Sequence, residues 1–562
     1  MSTLKSFLTA AERACLGSPI VQAQPPVRMP QTVQQTVQLP PQAVQLPQRQ
    51  ERQAQCVTES TPDAAVVRKK ILYVTPEYTG LVKTGGLGDV SAALPKALAT
   101  RHDVRVLIPG YRQIMEAYGD EGYITTIAHL DGYAGLPKCT IGQLTLPDGI
   151  LVYLVICPEL YEREGSPYGD ANGRDWSDNH IRFARFALAA ADLAMGKAHL
   201  GWRPELVHAH DWSAALTPAY MAWRGQTTPT VYTIHNLAHQ GLFDVACGAD
   251  LGLPPAAYGI DGMEFYGKLS FMKAGIAYAQ QLTTVSQTYA REITQPQFGC
   301  GLEGLLRQKY DQGLLHGIVN GIDESWEPAS DPHLIASFTA REWESKRANT
   351  RYIEQKFALP SGNGPVFAVV SRLAQQKGID LTFDVASSVV NGGGRLVIMG
   401  CGESQLEAQA MQLARRYPGQ VGVHIGFNEV ESRRIFAGSD FLLMPSRFEP
   451  CGLTQMYAQR FGSLPIATCT GGLADTIEDG LNGFLFQQAL VASYRAAIER
   501  ALKVFARPTL LNAMRSYAMA APRTWRESIK PYTRLYQHTL QEAQRHLAQN
   551  KLALLPRYGS LC

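Results

Sequence analysis

The sequence has little that would indicate a secreted or membrane-spanning protein. Its 10 cysteines are scattered over 562 residues without a Cys-x-x-Cys pair, a pattern that disfavours a disulfide framework and fits a reducing compartment. No run of eighteen or more apolar residues occurs, so no membrane span is expected. Because the N-terminus also lacks the apolar core of a secretory signal, we expect a soluble, cytoplasmic protein with no membrane partner.

An excess of charge is also absent. The chain has 52 Lys and Arg against 49 Asp and Glu, a net charge of +3, and its folded part contains no dense basic stretch. Nucleic acid is therefore not an expected partner. A nearly neutral surface suits a neutral polymer, and positive charge matters only where it is gathered into a pocket.

Residues 1–68 are predicted to be a disordered extension. They are rich in Gln and Pro, and residues 19–55 contain no aromatic side chain, so they cannot bury enough apolar surface to fold. Acidic residues are sparse before Glu51, which leaves a plastid transit peptide as an alternative. Serine is also sparse, however, and glutamine dominates, which disfavours that interpretation.

From Ile71 onward, short apolar runs alternate with longer helix-like segments, the pattern of βαβ units around parallel sheets. The predicted strands are 71–75, 104–109, 151–156, 206–210 and 230–235, then 366–370, 396–399, 421–425, 441–444 and 464–468. We therefore expect an α/β protein with two Rossmann-like domains, at 69–320 and 321–507. Helices follow at 508–562, where Trp525, Tyr532 and Tyr536 share roughly one face.

Two loops at predicted strand ends carry the main chemical candidates. Residues 445–454 place Glu449 between prolines and glycine, and residues 371–378 carry Arg372 and Lys377. Ligands of parallel sheets bind at the carboxyl ends of strands, so two cations and one carboxylate are expected to meet there. Taken singly, each of the three could also be an ordinary solvated loop residue.

A glycine-rich loop at 83–89 follows the first predicted strand. Its lysine precedes the glycines, so it is not a Walker P-loop. Gly85 and Gly86 allow a ligand to approach the backbone closely, and Lys83 supplies a charge.

Clustered histidines raise the alternative of a metal-dependent hydrolase, because His208 and His210 stand in a His-x-His pattern and His235 and His239 follow the next strand. Few other ligand types occur at fixed spacing, so a structural or sugar-binding use is favoured. Cys451 is adjacent to the Glu449 loop but has no nearby histidine in sequence, and a packed thiol is preferred over a nucleophile.

Six strings occur together in one order and resemble the glycogen and starch synthases, which are retaining glucosyltransferases of the two-domain GT-B fold. The strings are Lys-Thr-Gly-Gly (83–86), His-Asn (235–236), Asn-Gly-Ile-Asp (320–323), Ser-Arg-Leu with Gln-Lys-Gly (371–378), Pro-Ser-Arg-Phe-Glu-Pro-Cys-Gly-Leu (445–453) and Thr-Gly-Gly-Leu-Ala-Asp-Thr (470–476). The resemblance covers about residues 70–545. It implies two domains facing a central cleft, with the C-terminal helices crossing back to the first, and extension of an α-1,4-glucan such as glycogen from ADP-glucose with retention of configuration.

The resemblance also implies roles for individual residues. Arg372 and Lys377 would stabilise the departing diphosphate, Glu449 would position the glucose hydroxyls, and Asp211 and His235 complete the catalytic set. The implied donor-binding residues are Lys83, Gly85, Gly86, Asp89, Asn320, Phe427, Cys451, Gly452, Leu453 and Thr454. The implied acceptor-binding residues are Glu77, Tyr168 and Asp211.

No metal or other cofactor is expected, and ADP-glucose is a substrate. Metal-dependent glycosyltransferases use an Asp-x-Asp motif, which this chain lacks, so arginine and lysine would take the place of the ion. Phe427 would stack on adenine, unless it is a core residue capping its strand. The alternatives left open are another retaining GT-B transferase with a small acceptor, and a non-catalytic glucan-binding protein.

Overall fold

The computed structural model describes residues 68–119, 122–521 and 523–553. The predicted extension at 1–68 lies outside these residues, apart from Arg68. Each half of the chain contains one large sheet, and each large sheet has its own hydrophobic core. Among the described helices, none combines the length and apolar character needed to cross a bilayer.

The described residues of the first half form twelve strands. They are β1 (Lys70–Val74), β2 (Asp103–Pro109), β3 (Thr125–Leu130), β4 (Cys139–Thr145), β5 (Leu151–Ile156), β6 (Leu206–His210), β7 (Thr230–Ile234), β8 (Leu242–Asp244), β9 (Glu264–Phe265), β10 (Lys268–Ser270), β11 (Gln281–Thr284) and β12 (Leu315–Gly317). Nine form one sheet in the order β12-β11-β7-β6-β1-β2-β5-β4-β3, and the other three form a small antiparallel sheet in the order β8-β10-β9.

Helices cover the larger sheet and connect its strands. They are α1 (Gly86–Ala99), α2 (Arg112–Tyr118), α3 (Pro158–Tyr161), α4 (Asn179–Ala194), α5 (Asp211–Ala214), α6 (Leu216–Trp223), α7 (Phe271–Tyr278), α8 (Gln287–Glu292) and α9 (Glu303–Asp311). All five strands predicted for this half are present. They were visible because parallel strands are buried on both faces and read as continuous apolar runs; every residue of β6 and β7 is buried.

The second half contains a six-stranded, fully parallel sheet. Its strands are β13 (Val366–Val370), β14 (Arg395–Gly400), β15 (Val421–Ile425), β16 (Phe441–Met444), β17 (Leu464–Thr468) and β18 (Phe484–Phe486). Their order, β15-β14-β13-β16-β17-β18, is that of a doubly wound Rossmann sheet. The order reverses between β13 and β16, and it does so in the first half between β1 and β6.

The helices of the second half are α10 (Glu344–Lys356), α11 (Ile379–Asn391), α12 (Ser404–Arg416), α13 (Glu429–Gly438), α14 (Thr454–Arg460), α15 (Gly471–Thr476), α16 (Val491–Phe505) and α17 (Pro508–Met519), and α18 (Trp525–Ala553) follows them. The two faces of the sheet are covered by different sets of these helices, so the second half has two apolar layers.

Among the helices described for the second half and the C-terminal segment, α18 alone crosses back to the core of the first half. Trp525, Tyr532 and Tyr536 of α18 are buried in the core of the first sheet, and the Tyr536 hydroxyl lies 2.7 Å from His208 Nδ1. The predicted crossing segment, 508–562, was too long, because α17 buries Leu511 and Met514 in the second core. The boundaries at 69–320 and 321–507 stay predictions.

Candidate active site

The loops that follow β13 and β16 pack backbone to backbone at the reversal point of the second sheet. Gly378 has φ +65°, and a Cβ there would lie 2.0 Å from the Pro445 carbonyl oxygen. Arg447 of one loop donates to both carboxylate oxygens of Asp380, the second residue of the helix after the other loop, at 2.8 and 2.6 Å. A glycine and a bidentate ion pair therefore fix the relative position of the two loops.

These loops bring Lys377 and Glu449 together, as the sequence predicts. Lys377 Nζ donates to Glu449 Oε2 at 2.6 Å, and Ser446 Oγ donates to the same oxygen at 3.0 Å. Arg372 is exposed and donates to Gln376 at 3.2 Å; among the ion pairs of the described residues, none involves Arg372. The loop thus presents one cation shared with a buried carboxylate and one unshared cation.

Sequence reasoning missed Ser446 as a functional residue and did not explain the Thr-Gly-Gly string at 470–472. Gly471 has φ +44°, and a Cβ there would lie 1.9 Å from the Glu449 carbonyl oxygen. The Gly472 amide donates to that carbonyl at 3.0 Å. Only glycine permits this approach, so the Thr-Gly-Gly string packs against the backbone of Glu449.

At the reversal point of the first sheet, the glycine loop is arranged around a carboxylate. Glu77 Oε2 accepts hydrogen bonds from the amides of Thr84 and Gly85 at 2.6 and 2.9 Å. Lys83 Nζ donates to Asp89 Oδ1 at 2.6 Å. Two amides of the loop are therefore engaged by Glu77, and the charge of Lys83 is shared with Asp89.

The three predicted acceptor residues form one cluster. Tyr168 donates from its hydroxyl to Glu77 Oε1 at 2.7 Å, and Asp211 is close enough to both to influence them electrostatically. Asp211 has φ +59° and follows β6 directly. Burial, with a further contribution from the negative charge of Glu77, raises the pKa of Asp211 to about 7.

The histidines next to this cluster are uncharged at neutral pH. His210 Nδ1 and His235 Nε2 lie 3.0 Å apart, and burial lowers the pKa of His235 to about 3 and that of His210 well below its ordinary value. Positive charge at the site therefore comes from Arg372, Lys377 and Lys83. Among the described residues, no group of three or more His, Cys, Asp or Glu side chains is arranged to hold a metal ion.

Cys451 and Asn320 lie together where the two halves meet. Burial raises the pKa of the Cys451 thiol to about 12, although hydrogen bonds from Asn320 lower it, so the thiol is protonated and poorly suited to nucleophilic attack. The Asn320 Oδ1 atom is buried without a hydrogen-bond partner among the described residues. This amide is a candidate for contacting a ligand.

Two contacts join the halves of the chain next to this site. Ser286 Oγ donates to the Pro450 carbonyl oxygen at 2.6 Å, and a Cβ at Gly86 would lie 3.9 Å from Leu453 Cδ1. The glycine loop thus faces the residues that follow Glu449. Gly452, with φ +70°, and Thr454, which begins α14, complete this side.

Phe427 is a predicted donor residue at the edge of the second sheet. It follows β15, the edge strand, and its side chain is 63% exposed. The alternative in which Phe427 caps the strand as a core residue is therefore wrong. Its proposed stacking on a base stays a prediction.

Two doubly wound sheets facing one cleft, with the last helix returned to the first, define a glycosyltransferase of the GT-B class. Two family models agree with this class: one described as "Starch synthase catalytic domain" matches residues 70–308, and one described as "Glycosyl transferases group 1" matches residues 352–518.

Known proteins define the family more closely. The chain is 61% identical over 476 residues to the glycogen synthase of Pseudomonas fluorescens (strain Pf-5), which covers 85% of this chain and 91% of that protein. It is 60% identical over 477 residues to that of Pseudomonas syringae pv. syringae, covering 85% and 98%. The catalytic domain of Arabidopsis thaliana starch synthase IV, bound to ADP and acarbose, is 29% identical with a TM-score of 0.74 and covers 84% of this chain and 100% of that one. The chain belongs to the glycogen and starch synthase family.

Replacing Asp211 should change how stability depends on pH. Its carboxyl has an ordinary pKa of 3.8 and a folded-state pKa of about 7, so between these values the folded chain holds a proton that the unfolded chain has lost. The contribution of Asp211 to the free energy of unfolding should therefore fall as pH rises from about 4 to about 7, and then level off.

Urea denaturation of the wild type and Asp211→Asn at pH 5, 6, 7 and 8 measures this contribution as a difference. Asp311→Asn, which changes an exposed carboxylate, is the matched control and should give a smaller pH-dependent difference. A wild type that gains stability relative to Asp211→Asn between pH 5 and 7 would contradict the assignment.

Arg372→Ala, Lys377→Ala and Glu449→Gln should each lower turnover by roughly a hundredfold or more, as expected when one preorganised electrostatic partner is removed. Circular dichroism should show that each variant remains folded. Arg415→Ala removes an exposed cation of α12 and should be close to wild type. Near-normal turnover of any of the three folded variants removes that residue from the catalytic set.

Proposed function

We propose that the protein transfers glucose from ADP-glucose to the non-reducing end of an α-1,4-glucan such as glycogen, with retention of configuration. The observation that carries this proposal is the ion pair of Lys377 with Glu449 at the sheet reversal point, with Arg372 exposed on the same loop as Lys377, in a chain 61% identical to a glycogen synthase. ADP in a starch synthase with 29% identity supports the choice of nucleotide.

The leaving diphosphate would be stabilised by cations of this chain. A nucleoside diphosphate becomes more negative as the glycosidic bond breaks, and fixed positive groups in a cleft favour that change. Arg372 has its whole charge available, whereas Lys377 shares its charge with Glu449. On this basis we propose that no metal ion is required.

Glu449 would orient the donor glucose. Both hydrogen bonds described for its carboxylate use Oε2, which leaves Oε1 to accept from a glucose hydroxyl. The buried Asn320 amide and the neutral His235 ring would contact the same sugar, and Glu77, Tyr168 and Asp211 would contact the acceptor. A cytoplasmic location is also proposed, since the cysteines are scattered along the chain without a Cys-x-x-Cys pair.

A direct assay tests the function. The full chain is incubated with glycogen and either ADP-glucose or UDP-glucose, and nucleotide release and polymer growth are both measured. Growth of glycogen from ADP-glucose, unchanged by EDTA, is the expected result. Glycogen binding without nucleotide release would indicate a non-catalytic glucan-binding protein, and transfer to small sugars alone would indicate a different acceptor. Activity lost in EDTA and restored by zinc or manganese would overturn the metal-free mechanism.

Phe427→Ala should raise the Michaelis constant for ADP-glucose and reduce any preference for ADP-glucose over UDP-glucose. Stacking of an exposed ring on adenine would contribute about 1 to 3 kcal/mol, with a larger gain for a purine than for uracil. Turnover should change less, because the interaction is made in the ground state as well.

Phe427→Tyr keeps the ring and is the matched control, so it should retain the wild-type Michaelis constant. An unchanged Michaelis constant in Phe427→Ala, or equal use of both donors by the wild type, would defeat the stacking proposal.

A further inference from the structure

The β9–β10 hairpin turns through an unusual residue. Tyr266 and Gly267 form its two-residue loop, with φ +47° and +77°. Positive φ at both positions is the signature of a type I′ turn, whose first position normally holds Asn, Asp or Gly. A tyrosine in this conformation is strained, although an asparagine would satisfy the turn without strain.

The ring of Tyr266 is held in place but left uncovered. Its centroid lies 4.8 Å from that of Phe265 in an edge-to-face arrangement, and a Cβ at Gly301 would lie 3.1 Å from Tyr266 Cε2. Nevertheless the side chain is 81% exposed, and the loop leading into β9 exposes Ile260 at 79%. The hairpin therefore offers a supported aromatic surface to solvent.

This hairpin continues an aromatic line that begins at the acceptor cluster. The ring centroids of Tyr168 and Trp212 are 6.0 Å apart, and those of Trp212 and Phe243 are 6.2 Å apart. Phe243 pairs with Leu269 of the hairpin. Tyr266 lies three residues before Leu269, so at about 3.3 Å per residue no more than roughly 10 Å of chain separates the two positions.

We propose that Tyr266 binds a remote part of the α-1,4-glucan chain whose end occupies the acceptor cluster. This proposal rests on the proposed function. Sugar rings have apolar C–H faces that suit an exposed aromatic ring and hydroxyl groups that suit the polar side chains beside it. Lys268 is exposed and pairs across the hairpin with Phe265, and the Glu264 carboxylate accepts from the Gly267 amide at 2.9 Å.

Tyr266→Asn removes the aromatic ring but keeps a residue that suits the turn. Asparagine tolerates positive φ, so the melting temperature should equal or exceed that of the wild type. The Michaelis constant for glycogen should rise about 3- to 10-fold, the amount expected for one lost aromatic contact. The Michaelis constants for maltotriose and ADP-glucose, and turnover at saturation, should stay unchanged, because a short acceptor cannot reach the hairpin.

Tyr266→Trp should retain tight glycogen binding. Tyr123→Asn should have no effect, because it removes a ring that is 57% exposed but lies beside β3, an edge strand of the larger sheet. An unchanged glycogen constant in Tyr266→Asn overturns the proposal, as does an equal rise for maltotriose. Light scattering that shows a dimer in the wild type and a monomer in the variant would instead assign the surface to a second copy. Affinity electrophoresis in gels that contain glycogen measures glycogen binding even if the wild type transfers no glucose. A failure of the proposed function can therefore be distinguished from a failure of this proposal.

Discussion

The site depends on one constraint of parallel sheets: where the strand order reverses, connections leave neighbouring strands in opposite directions and leave a gap at their carboxyl ends. Both halves of this chain reverse in this way, between β1 and β6 and between β13 and β16. The glycine loop and Asp211 border the first gap, and Arg372, Lys377 and Glu449 border the second. Residues far apart in sequence are therefore brought to the same edge of a sheet, and the positive φ angles of Gly378 and Gly471 then allow the loops to pack closely there.

Charge within the cleft is distributed unevenly by burial. Burial keeps His210 and His235 neutral and raises the pKa of Asp211, while Arg372 remains exposed and charged. The acceptor cluster and the histidines next to it are thus suited to hydrogen bonding with a neutral molecule, and the loop of Arg372 and Lys377 to binding an anion. This division agrees with an acceptor on one side and a nucleotide sugar on the other.

Much of this arrangement could be predicted from the sequence, because buried parallel strands are continuous apolar runs and chemically active residues follow them directly. The antiparallel strands β3 and β4 were missed, since β3 is largely exposed and lacks such a run. The packing of α17 on the second core was also missed, and the choice between a stacking ring and a core residue at Phe427 stayed open, because both depend on which neighbours the chain brings near. Ser446 could not be recognised from the sequence, because its importance depends on the hydrogen bond that it donates to Glu449.

The return of α18 makes the second half an insertion within the first. The two connections run side by side: the Ile322 amide donates to the Arg523 carbonyl oxygen at 2.7 Å, and Ile322 pairs with Thr524 in a parallel bridge. The chain therefore passes between the halves twice at a single place, and the backbone pairing there couples the start of α18 to the segment that leaves the first half.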